Sequence, residues 1–416
     1  MLPVLRSFIS AALLALLLPG LLVAAPQRFE TPPHDYWTRP LSDPFTRWLE
    51  KVQRGEATVP TGDELTVVRA FLKIFNVPVS SQMLVYSATS RQRIISPYRP
   101  RALYFNEDLY LGFVPGGRIE VASVDPAAGP VFRIFDFPRA ERAEIHPDRS
   151  DRCMQCHAGH DNHQLPKLVM DSVIVNSEGG SLETWRTSKF GHDVPLAERF
   201  GGWHLTGGHH MATHHGNTLG QLSGGKLTVR ENPPGQLFDL AHYPLPTSDI
   251  LPQLLHDHQA GFHNLLTEAV YRQRELLFAG KGTLTPADEK ELDVLAGNVA
   301  DYVLFKTEAK LPAAGLTGDP AYVTDFRANR RAISGGFSLK DLDLKTRLFH
   351  YRCSYMLYSQ HWTDLDRGIK TRCWSRLKTL LSERDPGYAA WLPATERAAI
   401  RRILESTLTD APAEWK

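Results

Sequence analysis

Sulfur is scarce in this chain: 416 residues hold four cysteines and six methionines. Only one Cys-x-x-Cys pair is present, so a finger-type zinc site has no second pair at the required spacing. An excess of one charge is also missing. Lys and Arg number 47 against 46 Asp and Glu, a formal net charge of +1. That balance gives no basic field for nucleic acid or for an acidic membrane surface. No internal repeat or low-complexity tract occurs, and no signalling element is visible. What remains is a chain long enough for a large core and for two or more domains.

Residues 1–26 read as a targeting segment. Arg6 supplies a positive start, and an apolar run follows from Phe8 to Ala25. The cleavage site is irregular, because Pro26 would follow a cut after Ala25 and Leu22 occupies a small-residue position for a cut after Ala24. A signal peptide and an uncleaved N-terminal anchor are therefore both open, and either exports the folded part, to the periplasm in a Gram-negative cell.

The chemistry concentrates at Cys153-Met154-Gln155-Cys156-His157, which reads as an attachment site for one covalent haem c. Each thiol can add across one porphyrin vinyl group, and His157 then lies under the iron as proximal ligand. A dithiol redox motif would instead sit beside a βαβ pattern. No second Cys-x-x-Cys-His is present, which excludes a two-haem peroxidase plan.

Around this motif the hydrophobic period changes. A Pro- and aromatic-rich segment with one short helix (45–52) precedes a second helix that begins at Gly62-Asp63-Glu64 and ends before Pro78. Short β-rich runs at 83–87, 102–105, 109–114, 119–124 and 131–135 predict an antiparallel meander. Another strand is expected at 168–175, then a loop-like stretch over 190–220 with a short strand at 203–206. Helices are expected at 250–279, 286–305, 339–358, 368–381 and 394–409. The fold class is α+β: a β-rich region (27–138), a haem and His-rich segment (139–225) and a helical region (226–416). The haem is expected between the two halves, where its apolar edge finds walls. Cys353 and Cys373 fall level on the arms of a presumed helical hairpin centred at 363. A disulfide worth about 3 kcal/mol and two buried thiols are the alternatives.

Six of the 17 histidines (His192, His204, His209, His210, His214, His215) fall within 24 residues, and His160 and His163 follow the motif. Three readings compete for the cluster: a sixth ligand to the iron (His209 or His214), a polar distal pocket, or a second metal, for which no standard spacing is met. Met211 is the alternative sixth ligand, and thioether ligation would raise the potential. On the first C-terminal helix His256 and His263 share a face and His258 points elsewhere. An exposed polar stripe competes with a haem role for His256. For His258 and His263, Gln259 and Asn264 suggest a hydrogen-bonded buried patch.

Several stretches together resemble a group of exported bacterial proteins with a single c-type haem motif. They are Arg101-Ala-Leu-Tyr-Phe-Asn106, Gly112-Phe-Val-Pro-Gly-Gly117, Cys153 to His157, Gly201-Gly-Trp203 through His209 to His214-His215-Gly216-Asn217, and His258-Gln259 to His263-Asn264. The resemblance implies a cytochrome c-like haem segment inside a larger private fold, with His209, His214, Asn217, His258 and His263 as site residues. It implies no substrate.

The chain is far longer than a small electron carrier requires. The expected function is a redox one, with a haem oxidoreductase acting on a small molecule preferred to a dedicated electron-transfer cytochrome that docks to a redox partner protein. In the enzyme reading His209 and His214 are the catalytic imidazoles. A non-catalytic haem sensor is the third class.

Overall fold

The computed structural model describes residues 28–90, 92–185, 189–382 and 386–412. The targeting segment lies outside the described residues. The architecture is α+β. Helix α1 (Pro44–Gln53) starts where the Asp43 carboxylate accepts from the Phe45 and Thr46 amides, and α2 (Glu64–Ile74) is capped in the same way by Asp63. Five strands follow as an antiparallel meander: β1 (Met83–Val85), β2 (Arg101–Phe105), β3 (Leu109–Phe113), β4 (Ile119–Asp125) and β5 (Gly129–Phe135). All five lie at the positions expected from period-two patterning.

Alternation gives the sheet two apolar faces. Leu84, Ala102, Tyr104, Leu111, Phe113, Val121 and Phe135 pack with Phe45, Trp48, Phe71 and Leu72 of α1 and α2. Met83, Val85, Phe105, Tyr110, Val124 and Phe132 join the main core on the other face. That core is built around α4 (Ile250–Ala279), a helix of 30 residues capped by Asp249. Its length, about 45 Å at 1.5 Å per residue, lets residues from His256 to Arg274 contact the sheet and its turns while the helix also packs against Pro286–Val303 and Arg367–Leu381 of the helical region.

Between sheet and α4 lie the motif helix α3 (Asp151–His157) and two hairpins: β6 (Ser172–Val175) with β7 (Ser181–Trp185), and β8 (Thr218–Ser223) with β9 (Lys226–Glu231). The β8–β9 hairpin was not expected. Its two-residue turn is Gly224-Gly225, with φ of 55° and 78°, the left-handed conformation that such a turn needs. The boundary placed at 225/226 cuts this hairpin at its turn.

The helical region continues with α5 (Pro286–Val303), α6 (Pro320–Arg327), α7 (Gln360–Thr363), α8 (Arg367–Leu381), α9 (Pro386–Trp391) and α10 (Ala394–Thr407). The helix expected at 339–358 does not form. Asp341 accepts from the Ser338 amide, Asp343 from those of Lys345 and Thr346, and Ser354 from that of Met356. Such local side-chain bonds compete with helix, and only a 3-10 turn (Tyr355–Tyr358) remains. Cys353 therefore lies in irregular backbone and not on a helical arm level with Cys373. The disulfide is not formed. Both cysteines are buried free thiols, and burial pushes Cys373 up to about 12 and Cys353 further. Among the described residues no helix is long and apolar enough to cross a membrane.

Candidate functional site

Helix α3 is short, but its period arranges the motif. Ser150 caps it by accepting from the Arg152 amide, and Asp151 in the first turn suits the positive end. Cys153, Cys156 and His157 stand at i, i+3 and i+4 and share one face. Met154 anchors the helix in the main core at 2% exposure, while Cys153 and His157 are half-buried and Cys156 is exposed. Neither motif thiol is in a disulfide.

His157 is held in one tautomer. Its Nδ1 lies 2.9 Å from the Lys167 carbonyl oxygen. A carbonyl only accepts, so Nδ1 carries the proton and Nε2 keeps its lone pair, with no hydrogen-bond partner among the described residues. The ring stacks on Phe132 of β5 at 3.7 Å between centroids. Burial lowers its pKa to about 4, against the raising effect of the Lys167 carbonyl, so the ring is neutral at pH 7. A neutral imidazole with one nitrogen tied to a backbone carbonyl and the other free is the state a metal ligand needs.

The loop that supplies the carbonyl is itself fixed. The Lys167 amide donates back to the His157 carbonyl, and the Lys167 ammonium pairs with Glu268 of α4 at 2.9 Å. Asn264 of α4 brackets Leu168, accepting from its amide and donating to its carbonyl, both at 2.8 Å. The motif is thus positioned by β5 on one side and α4 on the other. One helical face thus carries two thiols outside any disulfide and a preset imidazole.

The neighbouring sheet surface has an unusual profile. Phe105, Tyr110, Ala122 and Phe132 form one cross-strand row over β2 to β5. The three aromatic residues are buried, yet Ala122 between them is only partly so, as are Leu103, Cys153 and the Arg101–Glu120 pair. Arg101 reaches Glu120 at 2.6 Å and leaves its Nε buried without a partner. His256 of α4 meets Phe105 and Tyr110 edge-on at 5.4 and 5.1 Å and lies 6.5 Å from Trp203. It is 6% exposed and so is not part of a solvated stripe. Burial lowers its pKa to about 3, and Arg101 contributes to that shift as it does for His157.

The other expected residues are distributed differently. His209 and His214 meet at 4.7 Å on the partly exposed loop that also carries Met211. That loop bridges to Thr317 and to Asp249. Among the described residues no hydrogen bond or ring contact joins either imidazole to α3. Asn217 is a backbone bracket, bonding the amide and carbonyl of Leu205. His258 and His263 are buried and hydrogen-bonded, on opposite sides of α4. His258 Nδ1 lies 2.7 Å from Nδ1 of His192, and its Nε2 lies 2.7 Å from Ser354 Oγ. His263 donates from Nε2 to the Glu107 carbonyl, so its Nδ1 must accept from His361 Nδ1 at 2.9 Å. Sequence reasoning missed His361, Arg101, Glu120 and Phe132, because each joins the site through pairings remote in sequence.

No group of three or more His, Cys, Asp or Glu side chains placed to hold a metal ion occurs among the described residues. No family model matches the chain, and no curated protein or solved structure is significantly similar to it. The family likeness drawn from the quoted motifs rests on those motifs alone.

Proposed function

We propose that the protein is an exported mono-haem c-type cytochrome with a redox role. The observation that carries this reading is the preset His157, one nitrogen tied to Lys167, on the same helical face as two cysteines that stand in no disulfide. Cys153 and Cys156 would anchor the macrocycle through thioether bonds, and His157 would serve as proximal ligand. The haem supplies a one-electron iron couple. The chain's residues do the rest: Phe132 holds the imidazole plane, Lys167 sets its tautomer, and Asn264 and Glu268 keep the Lys167 loop on α4.

Electron exchange with a docked redox protein is favoured by the exposure of Cys156, which brings the attached edge of the macrocycle to solvent. Turnover of a small molecule at the iron requires an open sixth position, and a carbon monoxide titration of the reduced protein separates the two. The primary test is Cys156→Ala, expressed with c-haem maturation machinery. Haem that survives denaturation should be present in the wild type and lost from stable form in the variant. A variant that retains its full covalent haem would falsify the proposal.

A further inference from the structure

We infer that His256, and not His209, His214 or Met211, is the axial ligand opposite His157. The inference rests on the haem reading above and adds the residue that decides how the iron is used.

Two observations point to it. First, His256 is buried, yet neither ring nitrogen makes a hydrogen bond to a described residue, and Nδ1 is fully enclosed. Burying a polar group without a partner costs roughly 1–3 kcal/mol, so a buried imidazole of this kind asks for a ligand. Second, it stands on the face of the sheet that His157 covers. His157 lies on Phe132 of β5, and His256 lies against Tyr110 of β3. Between them on β4 is Ala122, the one small, partly uncovered member of the row. Strands β3 and β5 stand about 10 Å apart at the usual strand spacing. There we place the slot, on a sheet face where Ala122 and Leu103 are partly uncovered and the Arg101–Glu120 pair is the polar part.

His204 shows why both observations are needed. Its ring nitrogens also lack partners, but Tyr86 and Phe238 enclose it, and these belong to other clusters than the one holding the motif helix. His258 and His263 are excluded because their nitrogens are already engaged. A second imidazole ligand makes the iron six-coordinate and low-spin, which suits electron transfer and closes the iron to small molecules.

The test compares purified wild type, His256→Ala, His256→Met, and His209→Ala with His214→Ala. Covalent haem is quantified by pyridine haemochrome, and axial ligation by visible spectra, carbon monoxide binding and midpoint potential. The wild type should be low-spin and indifferent to carbon monoxide. His256→Ala should keep its haem, turn high-spin, bind carbon monoxide promptly, and return to low-spin with added imidazole. His256→Met, which fills the space and can ligate through sulfur, should accumulate even where the alanine variant does not, and its potential should rise. The loop variants should match the wild type. A low-spin spectrum in His256→Ala, a wild-type potential in His256→Met, or a high-spin shift confined to the loop variants would overturn the assignment. Wild-type protein without covalent haem would overturn the parent reading, which the haemochrome measurement reports separately.

Discussion

Asn264→Leu tests whether the clamp on the ligand loop positions His157 or merely adds stability. The wild-type amide makes two hydrogen bonds to Leu168, whose own exposure is 7%. Each such bond contributes about 1 kcal/mol net, and leaving a buried partner unsatisfied costs about 1–3 kcal/mol. The expected loss is about 2–4 kcal/mol, a drop of about 1 M in urea midpoint for an m-value near 3 kcal/mol/M. Positioning makes a second forecast. The bond from His157 Nδ1 to the Lys167 carbonyl makes the imidazole a stronger donor. Freeing the loop weakens that bond, favours the ferrous state and raises the midpoint potential, while haem content stays unchanged. Asn264→Asp keeps the acceptor for the Leu168 amide but sets a carboxylate against its carbonyl, so it should destabilise at least as much. A reduced urea midpoint with an unaltered potential would show the clamp to be structural only. An unaltered midpoint would refute the energetic reasoning as well.

Three further outcomes are expected. Asp43→Ala removes the cap of α1 (about 1 kcal/mol) and strands buried Arg133 (about 3–5 kcal/mol). A loss below 2 kcal/mol in denaturant melts would contradict this, whereas Asp43→Asn should cost less because the cap survives. Burial opposes ionisation of Asp43, but Arg133 holds its carboxyl below the usual range. Its contribution is therefore present above the unfolded carboxylate pKa of about 4 and lost as pH falls below it. His204→Phe should stabilise by roughly 1–3 kcal/mol, since a partnerless imidazole becomes a ring of similar shape. Burial holds His204 down to about 3, so between that value and 6.5 the unfolded state binds the extra proton and stability falls with falling pH. The phenylalanine variant should show a flatter acid limb in thermal melts, and a steeper one would disprove the assignment. Ala122→Phe should fill the slot and lower haem incorporation while leaving the far-UV dichroism of the apoprotein intact. Undiminished haem would show that the slot is not the binding place.

Much of the fold was legible because it is written locally. The five strands are short β-rich runs bounded by turn residues such as Asn106, Pro115-Gly116-Gly117 and Pro126, so they were found to within about two residues. Helix α4 was expected at 250–279 and forms over Ile250–Ala279, with Asp249 as its cap. The failures have a common cause. Residues 339–358 are apolar enough for a helix, but Asp341, Asp343 and Ser354 spend their oxygens on nearby amides, a choice settled by surrounding packing. The β8–β9 hairpin was missed because its outer residues are polar and exposed, leaving little alternation to see.

The candidate site divides in the same way. Cys153, Cys156 and His157 are adjacent in sequence, and a helical period alone places them on one face, so the proposed attachment site was legible in the sequence. Which histidine faces the iron depends on which strands and helices meet. His209 and His214 are near neighbours along the chain, yet they fold onto a loop that bridges to Thr317. His256 stands 99 residues after His157 in the sequence, and only the packing of α4 over β2 and β3 brings it beside the slot at Ala122. Imidazoles look alike in a sequence; burial, a missing hydrogen-bond partner and the sheet face distinguish them, and those are properties of tertiary structure.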